Sequence, residues 1–228
     1  MPDPLIMSWS GGKDSALALE ALRATGEHEP IILLTSVTAG YERVAIHGVR
    51  RELLRAQAEA LGLPLHELTL QPDCTNDAYD AALASALEAL RTRYGARRIA
   101  FGDLYLEDVR RYREERVGSL GFELLFPLWG MDTTALAASF VARGFQARLV
   151  CVDTTQLDAG FAGRTYDARL LADLPATVDP CGENGEFHTF VTAGPGFAAP
   201  VPCEVGEVVM RGGRFAFCDL VSSTPLTS

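Results

Sequence analysis

Short apolar runs alternate with longer segments of helical period over the first 130 residues, and this alternation constrains the fold more than any other feature. The apolar runs predict strands at 5–7, 31–35, 65–70, 98–101 and 123–126, and the segments between them predict helices at 14–25, 49–61, 76–94 and 109–120. Strands that alternate with helices are typical of a parallel sheet covered by helices on both faces. We therefore predict an α/β domain over residues 1–130, built on a doubly wound, mostly parallel sheet of five strands.

The pattern changes after residue 130, where most of the remaining prolines and glycines lie. A helix at 133–143 and a strand at 147–152 are predicted first, and a looser stretch follows them. Near the end, apolar runs at 205–210 and 214–220 flank Gly212 and Gly213, a pattern that predicts a β-hairpin. Residues 131–228 are therefore expected to form a smaller C-terminal α+β domain that binds substrate.

Arginine supplies 19 of the 20 basic residues, and Lys13 is the single lysine. A GC-rich genome tends to encode such a chain, which accounts for the arginines but not for the one lysine that survived. Because arginine cannot always replace a compact ammonium group in a tight pocket, Lys13 is the first candidate for a chemical role.

The chain is acidic, with a net charge of −10 and a pI near 4.9. Nucleic acid is therefore not expected as its main partner, because a protein that coats phosphates needs a positive surface. The segment 110–116 is rich in arginine, but glutamates interleave with the arginines, and we interpret it as a solvated helix face.

The five cysteines, at positions 74, 151, 181, 203 and 218, are widely spaced and form no CxxC pair. The spacing predicts neither a zinc site nor a disulfide framework, so reduced thiols in a cytoplasm fit best.

No apolar run approaches the roughly 20 residues of a membrane span, and the N-terminal residues lack the basic start and apolar core of a signal peptide. We expect a soluble, cytoplasmic protein without a membrane partner.

The segment SWSGGKDS, residues 8–15, joins the first predicted strand to the first predicted helix, at the sheet edge where open α/β folds bind ligands. Gly11 and Gly12 let the backbone approach an anion, and the helix N-terminus adds partial positive charge. Lys13, Ser10 and Ser15 add hydrogen-bond donors. The loop therefore predicts a site for a pyrophosphate-sized anion. It is not GxxxxGK[ST], because one residue separates Gly11 from Lys13, and it lacks GxGxxG.

A second polar cluster places Glu183, Glu186 and His188 within six residues, interleaved with two glycines and followed by an apolar, strand-like run. This arrangement predicts a polar binding site. The alternative is a polar turn that enters a strand, with His188 merely hydrogen-bonded. The spacing matches no common zinc pattern.

Other candidates lie after predicted strands, on the same sheet edge as the glycine loop. His47 lies on the loop after the second strand, Gly102 and Asp103 follow the fourth, and Ser8 and Ser36 directly follow the first two strands. A helix-capping or core role is the alternative for His47, and helix capping is the alternative for Asp103.

The string SGGKDS, residues 10–15, resembles the signature of the N-type ATP pyrophosphatases, which hold the β,γ-diphosphate of ATP and release it as pyrophosphate. Further segments resemble one branch of that superfamily, the diphthine–ammonia ligase-like proteins. These are residues 46–49 with 57–65, 102–104, 127–129 and 181–190. The resemblance spans nearly the whole chain, and the segment CGENGEFHTF at 181–190 is its most specific part. It implies a Rossmann-like domain that binds ATP.

The resemblance implies an ATP-dependent, amide-forming ligase. ATP adenylates a carboxylate with release of pyrophosphate, and free ammonia then displaces AMP. The acceptor in the family is diphthine, a modified histidine on a translation elongation factor. The sequence leaves open whether the acceptor here is diphthine or another carboxylate, and whether the protein forms a homodimer. The implied catalytic residues are Lys13, Asp14, Glu183, Glu186 and His188. The implied nucleotide contacts are Ser8, Ser10, Gly11, Gly12, Lys13, Asp14, Ser15, Ser36, His47, Gly102 and Asp103, with Asp14 as the Mg²⁺ ligand.

Two other functions stay open. In a tRNA-thiolating enzyme, Cys181 is the one cysteine placed beside the polar cluster, although the acidic charge disfavours this function. A regulatory protein that binds ATP or AMP without turnover is the second alternative. Such a protein would not need both Lys13 and the polar cluster.

Overall fold

A computed structural model describes residues 3–40, 43–44 and 48–223 of the chain. Its strands are β1 (Asp3–Ser8), β2 (His28–Thr38), β3 (Arg43–Val44), β4 (Leu65–Leu70), β5 (Arg98–Ala100), β6 (Glu123–Leu125), β7 (Gln146–Asp153), β8 (Phe187–Ala193), β9 (Cys203–Arg211) and β10 (Phe215–Ser222). Its helices are α1 (Lys13–Thr25), α2 (Arg51–Ala60), α3 (Asn76–Tyr94), α4 (Glu107–Gly118), α5 (Thr133–Ala142) and α6 (Ala168–Asp173), with a short 3₁₀ turn at Ala159–Phe161. Among the helices so described, none has the length and apolar character needed to cross a membrane.

The chain divides into two compact units, and the division does not follow the order of the sequence. The first unit takes Met1–Ser10, Asp14–Glu42 and Leu63–Gly130, and the second takes Gly11–Lys13, Arg43–Gly62 and Met131–Ser228. Helix α2 therefore groups with the second unit, although it precedes three strands of the first.

The first unit is built on five parallel strands in the order β4-β2-β1-β5-β6. The chain runs outward from β1 through β2 to β4, then crosses to the other side of β1 to form β5 and β6. The strand order therefore reverses between β1 and β5, and open α/β sheets bind ligands outside the carboxyl ends of the strands at such a point. The predicted doubly wound α/β fold is confirmed.

Both faces of this sheet are buried, which explains why its strands are continuous apolar runs. In β1, Leu5, Ile6 and Met7 point to alternating faces, and all three are fully buried. One face packs on α3 and α4 through a single cluster, which includes Ile6, Ile32, Leu34, Leu68, Leu83, Leu87, Leu90, Ile99, Phe101, Val117 and Phe122. Burial of this apolar surface is the main source of stability for the unit.

The second unit contains an antiparallel sheet in the order β8-β7-β10-β9, with α5 and α6 in the same unit. The predicted hairpin is present, because β9 and β10 pair antiparallel from Arg211 and Phe215 outward. Its turn contains Gly212 with φ 57° and Gly213 with φ 66°, and glycine takes this left-handed conformation without a steric cost. The expected C-terminal α+β architecture is confirmed.

Candidate active site

The backbone carbonyl of Gly11 accepts two hydrogen bonds within the second unit, and a third bond joins their two donor residues. The carbonyl accepts from Gln57 Nε2 at 3.0 Å and from the Val191 backbone N–H at 2.9 Å, and Gln57 Nε2 also donates to the Val191 carbonyl at 2.5 Å. Gly11 has φ 79°, and a Cβ there would lie 2.8 Å from Leu54 Cδ2 and 2.9 Å from Gln57 Oε1. A side chain at this position of the predicted phosphate loop would clash with Leu54 and Gln57, so the position requires glycine.

In the first unit, the start of α1 lies against the chain that leaves β5. A Cβ on Gly102 would lie 2.8 Å from the Asp14 carbonyl carbon and 3.0 Å from the Ser15 backbone nitrogen, so this approach also requires glycine. Ser10 Oγ donates to Ser15 Oγ at 3.2 Å. Four predicted nucleotide contacts, Ser10, Asp14, Ser15 and Gly102, thus lie together at the strand-order reversal. The close contact at Gly102 is to the helix backbone.

Lys13 is 2% exposed, and both ends of the residue are bound within the second unit. Its backbone N–H donates to Thr189 Oγ1 at 3.0 Å, and its ammonium group donates to the Cys181 carbonyl. The ammonium nitrogen also lies 5.8 Å from the ring centroid of Phe187, a favourable cation–π arrangement. The single lysine is therefore a buried positive charge held beside the segment 181–189.

Glu186 is a buried carboxylate, 1% exposed, in that same segment. Its Oε1 accepts from the Asp179 backbone N–H at 2.9 Å and from Asn184 Nδ2 at 3.1 Å. Among the described residues, no group donates to its other oxygen, Oε2, although that oxygen is buried. A buried acceptor without a donor costs roughly 1–3 kcal/mol, so Oε2 is where a ligand N–H or cation would be stabilised.

His188, the second residue of β8, carries a neutral imidazole. Burial, and to a smaller extent the positive charge of Lys13, lower the pKa of His188 from 6.5 to about 4. A neutral ring places no second positive charge beside the ammonium group, and it keeps one nitrogen able to accept a hydrogen bond.

The lowered pKa predicts a pH-dependent loss of stability below neutral pH. The unfolded chain binds a proton at His188 near pH 6.5 and the folded chain only near pH 4, so stability falls as the pH drops through this window. Between pH 7.5 and pH 5 we expect His188 to account for a loss of about 2 kcal/mol. Urea unfolding at both pH values should show a smaller loss in His188→Gln than in the unchanged protein. An identical loss in both proteins would contradict the assignment.

Asp103 is engaged by the arginine-rich helix α4 of the first unit. Arg113 donates to its two carboxylate oxygens at 2.6 and 3.1 Å, and the same guanidinium lies 4.3 Å from the ring centroid of Phe101. Arg110 lies 4.8 Å from the ring centroid of Phe126 and 4.7 Å from that of Trp129. These two arginines of the 110–116 segment are therefore partly covered by aromatic rings of their own unit, whereas the other charged residues of the segment are exposed: Arg111, Glu114, Glu115 and Arg116.

The described residues contain no group of three or more His, Cys, Asp and Glu side chains that could hold a metal ion. Magnesium at a nucleotide needs fewer protein ligands, because it keeps several waters and shares the phosphate oxygens. Asp14, partly exposed in the first turn of α1, fits such a role as a single carboxylate ligand. Its part in binding Mg²⁺ stays a prediction.

Comparison with known families decides the assignment. A family model of the diphthamide synthase N-terminal domain matches residues 4–123, more than half of the chain. The chain belongs to the diphthamide synthase family. A model of the diphthamide synthase C-terminal domain matches residues 132–211. No curated protein matches the chain.

Membership of the diphthamide synthase family confirms the resemblance seen in the sequence. It implies an enzyme with an ATP pyrophosphatase-like role in diphthamide synthesis. The structure adds positions for further candidates: Ser8 ends β1, and Ser36 lies in β2. His47 falls outside the described residues.

Three residues that touch the candidate site were not predicted from the sequence. Gln57 and Thr189 bind the backbone of the glycine loop, and Asp179 binds the loop around Cys181. Gln57 could have been found from the sequence, because it is a polar residue on the face of α2 that the apolar residues Leu53 and Leu54 share.

Proposed function

We propose that this protein is an ATP-dependent, amide-forming ligase that releases AMP and pyrophosphate and uses ammonia as its nitrogen donor. One observation carries the proposal: the only lysine of the chain is buried at the start of α1, with its ammonium group directed at the polar segment 181–189. A buried ammonium group is costly unless a partner compensates its charge. A diphosphate is such a partner.

The proposed reaction has two steps. In the first, an oxygen of the acceptor carboxylate attacks the α-phosphorus of ATP, the bond from that phosphorus to the bridging oxygen breaks, and pyrophosphate leaves. In the second, ammonia attacks the acyl carbon, the bond between that carbon and the phosphate oxygen breaks, and AMP leaves while the nitrogen loses a proton. The protein must stabilise negative charge on the diphosphate during the first step.

In this proposal, the loop at residues 10–15 binds the phosphate groups of ATP. The N-terminus of α1 carries partial positive charge that would attract an anion, and the positive charge of Lys13 would compensate the charge of the leaving diphosphate. The hydroxyl groups of Ser10 and Ser15 add donors. Asp14 would hold Mg²⁺, which neutralises phosphate charge when it is bound.

In this proposal, the acceptor and ammonia are bound by Glu183, Glu186 and His188. The orphaned Oε2 of Glu186 is suited to a cation or an N–H group, and both ammonium and a histidine-derived acceptor carry such groups. The neutral imidazole of His188 can accept a hydrogen bond from the attacking nitrogen without adding charge beside Lys13. Diphthine is the proposed acceptor, because the family is defined by diphthamide synthesis.

The products of ATP test this proposal directly. We expect ATP labelled at the α-phosphate to give AMP, with an equal amount of pyrophosphate, when the protein is incubated with Mg²⁺, ammonium and an elongation factor that carries diphthine. Omission of ammonium should prevent formation of the amide. Formation of ADP and phosphate would contradict the proposal, and binding of ATP without any turnover would favour a regulatory protein.

The environment of Cys181 does not favour tRNA thiolation. Its thiol is buried, 2% exposed, and its sulfur donates to the Thr133 carbonyl at 3.3 Å. A sulfur carrier needs an accessible, activated thiolate. Cys181→Ser should therefore retain most of the AMP-forming activity.

A further inference from the structure

The segment 179–186 is organised around the carboxylate of Asp179. Its Oδ1 accepts from the backbone N–H groups of Cys181 at 2.8 Å and Glu183 at 3.3 Å. Its Oδ2 accepts from Thr133 Oγ1 at 2.7 Å. One side chain thus ties two consecutive turns of the loop to the start of α5, in the manner of the Asx turns that aspartate forms with its own following backbone.

Further bonds fix the peptides on either side of Cys181. Tyr166 Oη donates to the Pro180 carbonyl at 2.6 Å, and Cys181 Sγ donates to the Thr133 carbonyl at 3.3 Å. Gly182 has φ 69°, and a Cβ there would lie 2.7 Å from the Phe187 carbonyl oxygen. The nitrogen and the sulfur of Cys181 are therefore both bound, and the direction of its carbonyl group is set by the loop.

That carbonyl group accepts the hydrogen bond from the Lys13 ammonium. Lysine has four rotatable side-chain bonds, so its charge is precise in position only where a partner holds it. Another anchor is at the other end of the residue, where Thr189 Oγ1 accepts from the Lys13 backbone N–H. The position of the ammonium group thus depends on the loop that Asp179 organises.

We propose that Asp179 is a positioning residue for Lys13. It fixes the Cys181 peptide, whose carbonyl holds the ammonium group where an incoming diphosphate meets it. The inference rests on the proposed function, because it assumes that Lys13 binds the diphosphate. It assigns no contact with substrate to Asp179, whose effect on Lys13 passes through the Cys181 peptide.

The first test observes the side-chain amine of Lys13. Because Lys13 is the single lysine, any lysine side-chain signal comes from this residue. Nitrogen-15 lysine labelling reports the Nζ resonance, and acylation by an amine reagent, read by mass spectrometry of the Lys13 peptide, reports its protection. We expect Asp179→Ala to shift the Nζ resonance and to raise the acylation rate of Lys13 about tenfold or more, as loss of a partner in one hydrogen-bond network does.

Asp167→Ala is the matched control for a purely structural effect. Asp167 lies in the same unit, and its Oδ1 also accepts a backbone N–H, that of Leu170 at 2.8 Å, as the N-cap of α6. Its loss should lower stability by about 1 kcal/mol, as removal of a helix cap does, and leave the Lys13 signal unchanged. If Asp179→Ala is poorly folded, Asp179→Asn, which keeps the Oδ1 acceptor, should give an intermediate shift. An unchanged resonance in folded Asp179→Ala overturns the proposal.

A second test couples Asp179 to nucleotide binding through a double-mutant cycle. Affinity for Mg²⁺ and α,β-methylene-ATP should fall about tenfold in Asp179→Ala and by less than about twofold when the same change is made in Lys13→Ala. Equal effects of Asp179→Ala in both backgrounds would overturn the positioning role. If Lys13→Ala alone leaves the affinity unchanged, the proposed function fails instead, whatever the resonance shows.

Discussion

Lys13→Ala is expected to reduce AMP formation by a factor of about 10²–10³, the usual effect of removing one preorganised charge or donor from a developing anion. The residue is buried and carries the only ammonium side chain, so no other lysine can substitute for it. The measurement is the steady-state rate of AMP release at saturating ATP, with nucleotide affinity measured in parallel by calorimetry. Circular dichroism and a thermal melt should show a folded protein.

Lys13→Arg separates the requirement for charge from the requirement for shape. The guanidinium group is larger and planar, and the space around Lys13 is bounded by the Cys181 carbonyl and the Phe187 ring. We therefore expect arginine to restore less than about a tenth of the activity, although the charge is the same. Arg169→Ala is the matched control, because it removes one positive charge at an exposed position on α6. It should leave the rate unchanged. Full activity in Lys13→Arg would show that any cation suffices.

The first unit was predictable because each of its elements has its own local signal. Buried parallel strands are continuous apolar runs, and the helices between them end at glycine, so the element order followed from periodicity alone. The position of the glycine loop at the carboxyl edge followed from that order. The strand order itself depends on which edges pair, and no local pattern specifies that β5 lies beside β1 rather than beside β4.

The contacts that hold the candidate site were not predictable from local patterns. Gln57 binds a carbonyl 46 residues before it and another 134 residues after it, and Lys13 binds a carbonyl 168 residues away. All three acceptors are backbone carbonyls, which every residue carries, so composition gives no sign of them. Asp179 also binds backbone N–H groups. The sequence therefore identifies residues that would meet a ligand more readily than residues that position them.

Glu186→Gln is expected to impair use of the acceptor far more than binding of ATP. Glutamine keeps the size of the side chain, and its amide oxygen can still accept from the Asp179 backbone N–H, so the loop should keep its course. The change removes the negative charge and places an N–H donor at the position of the orphaned Oε2. Loss of a hydrogen bond to a charged group costs roughly 1.5–3 kcal/mol, so kcat/KM for the acceptor should fall about 10- to 100-fold.

Affinity for ATP in the same variant should change by less than about twofold, because the charge of Lys13 and the glycine loop are intact. Glu207→Gln, on the exposed strand β9 of the same unit, is the matched loss of one carboxylate and should change neither quantity. Equal losses of ATP affinity and of acceptor use in Glu186→Gln would assign this carboxylate to the nucleotide instead.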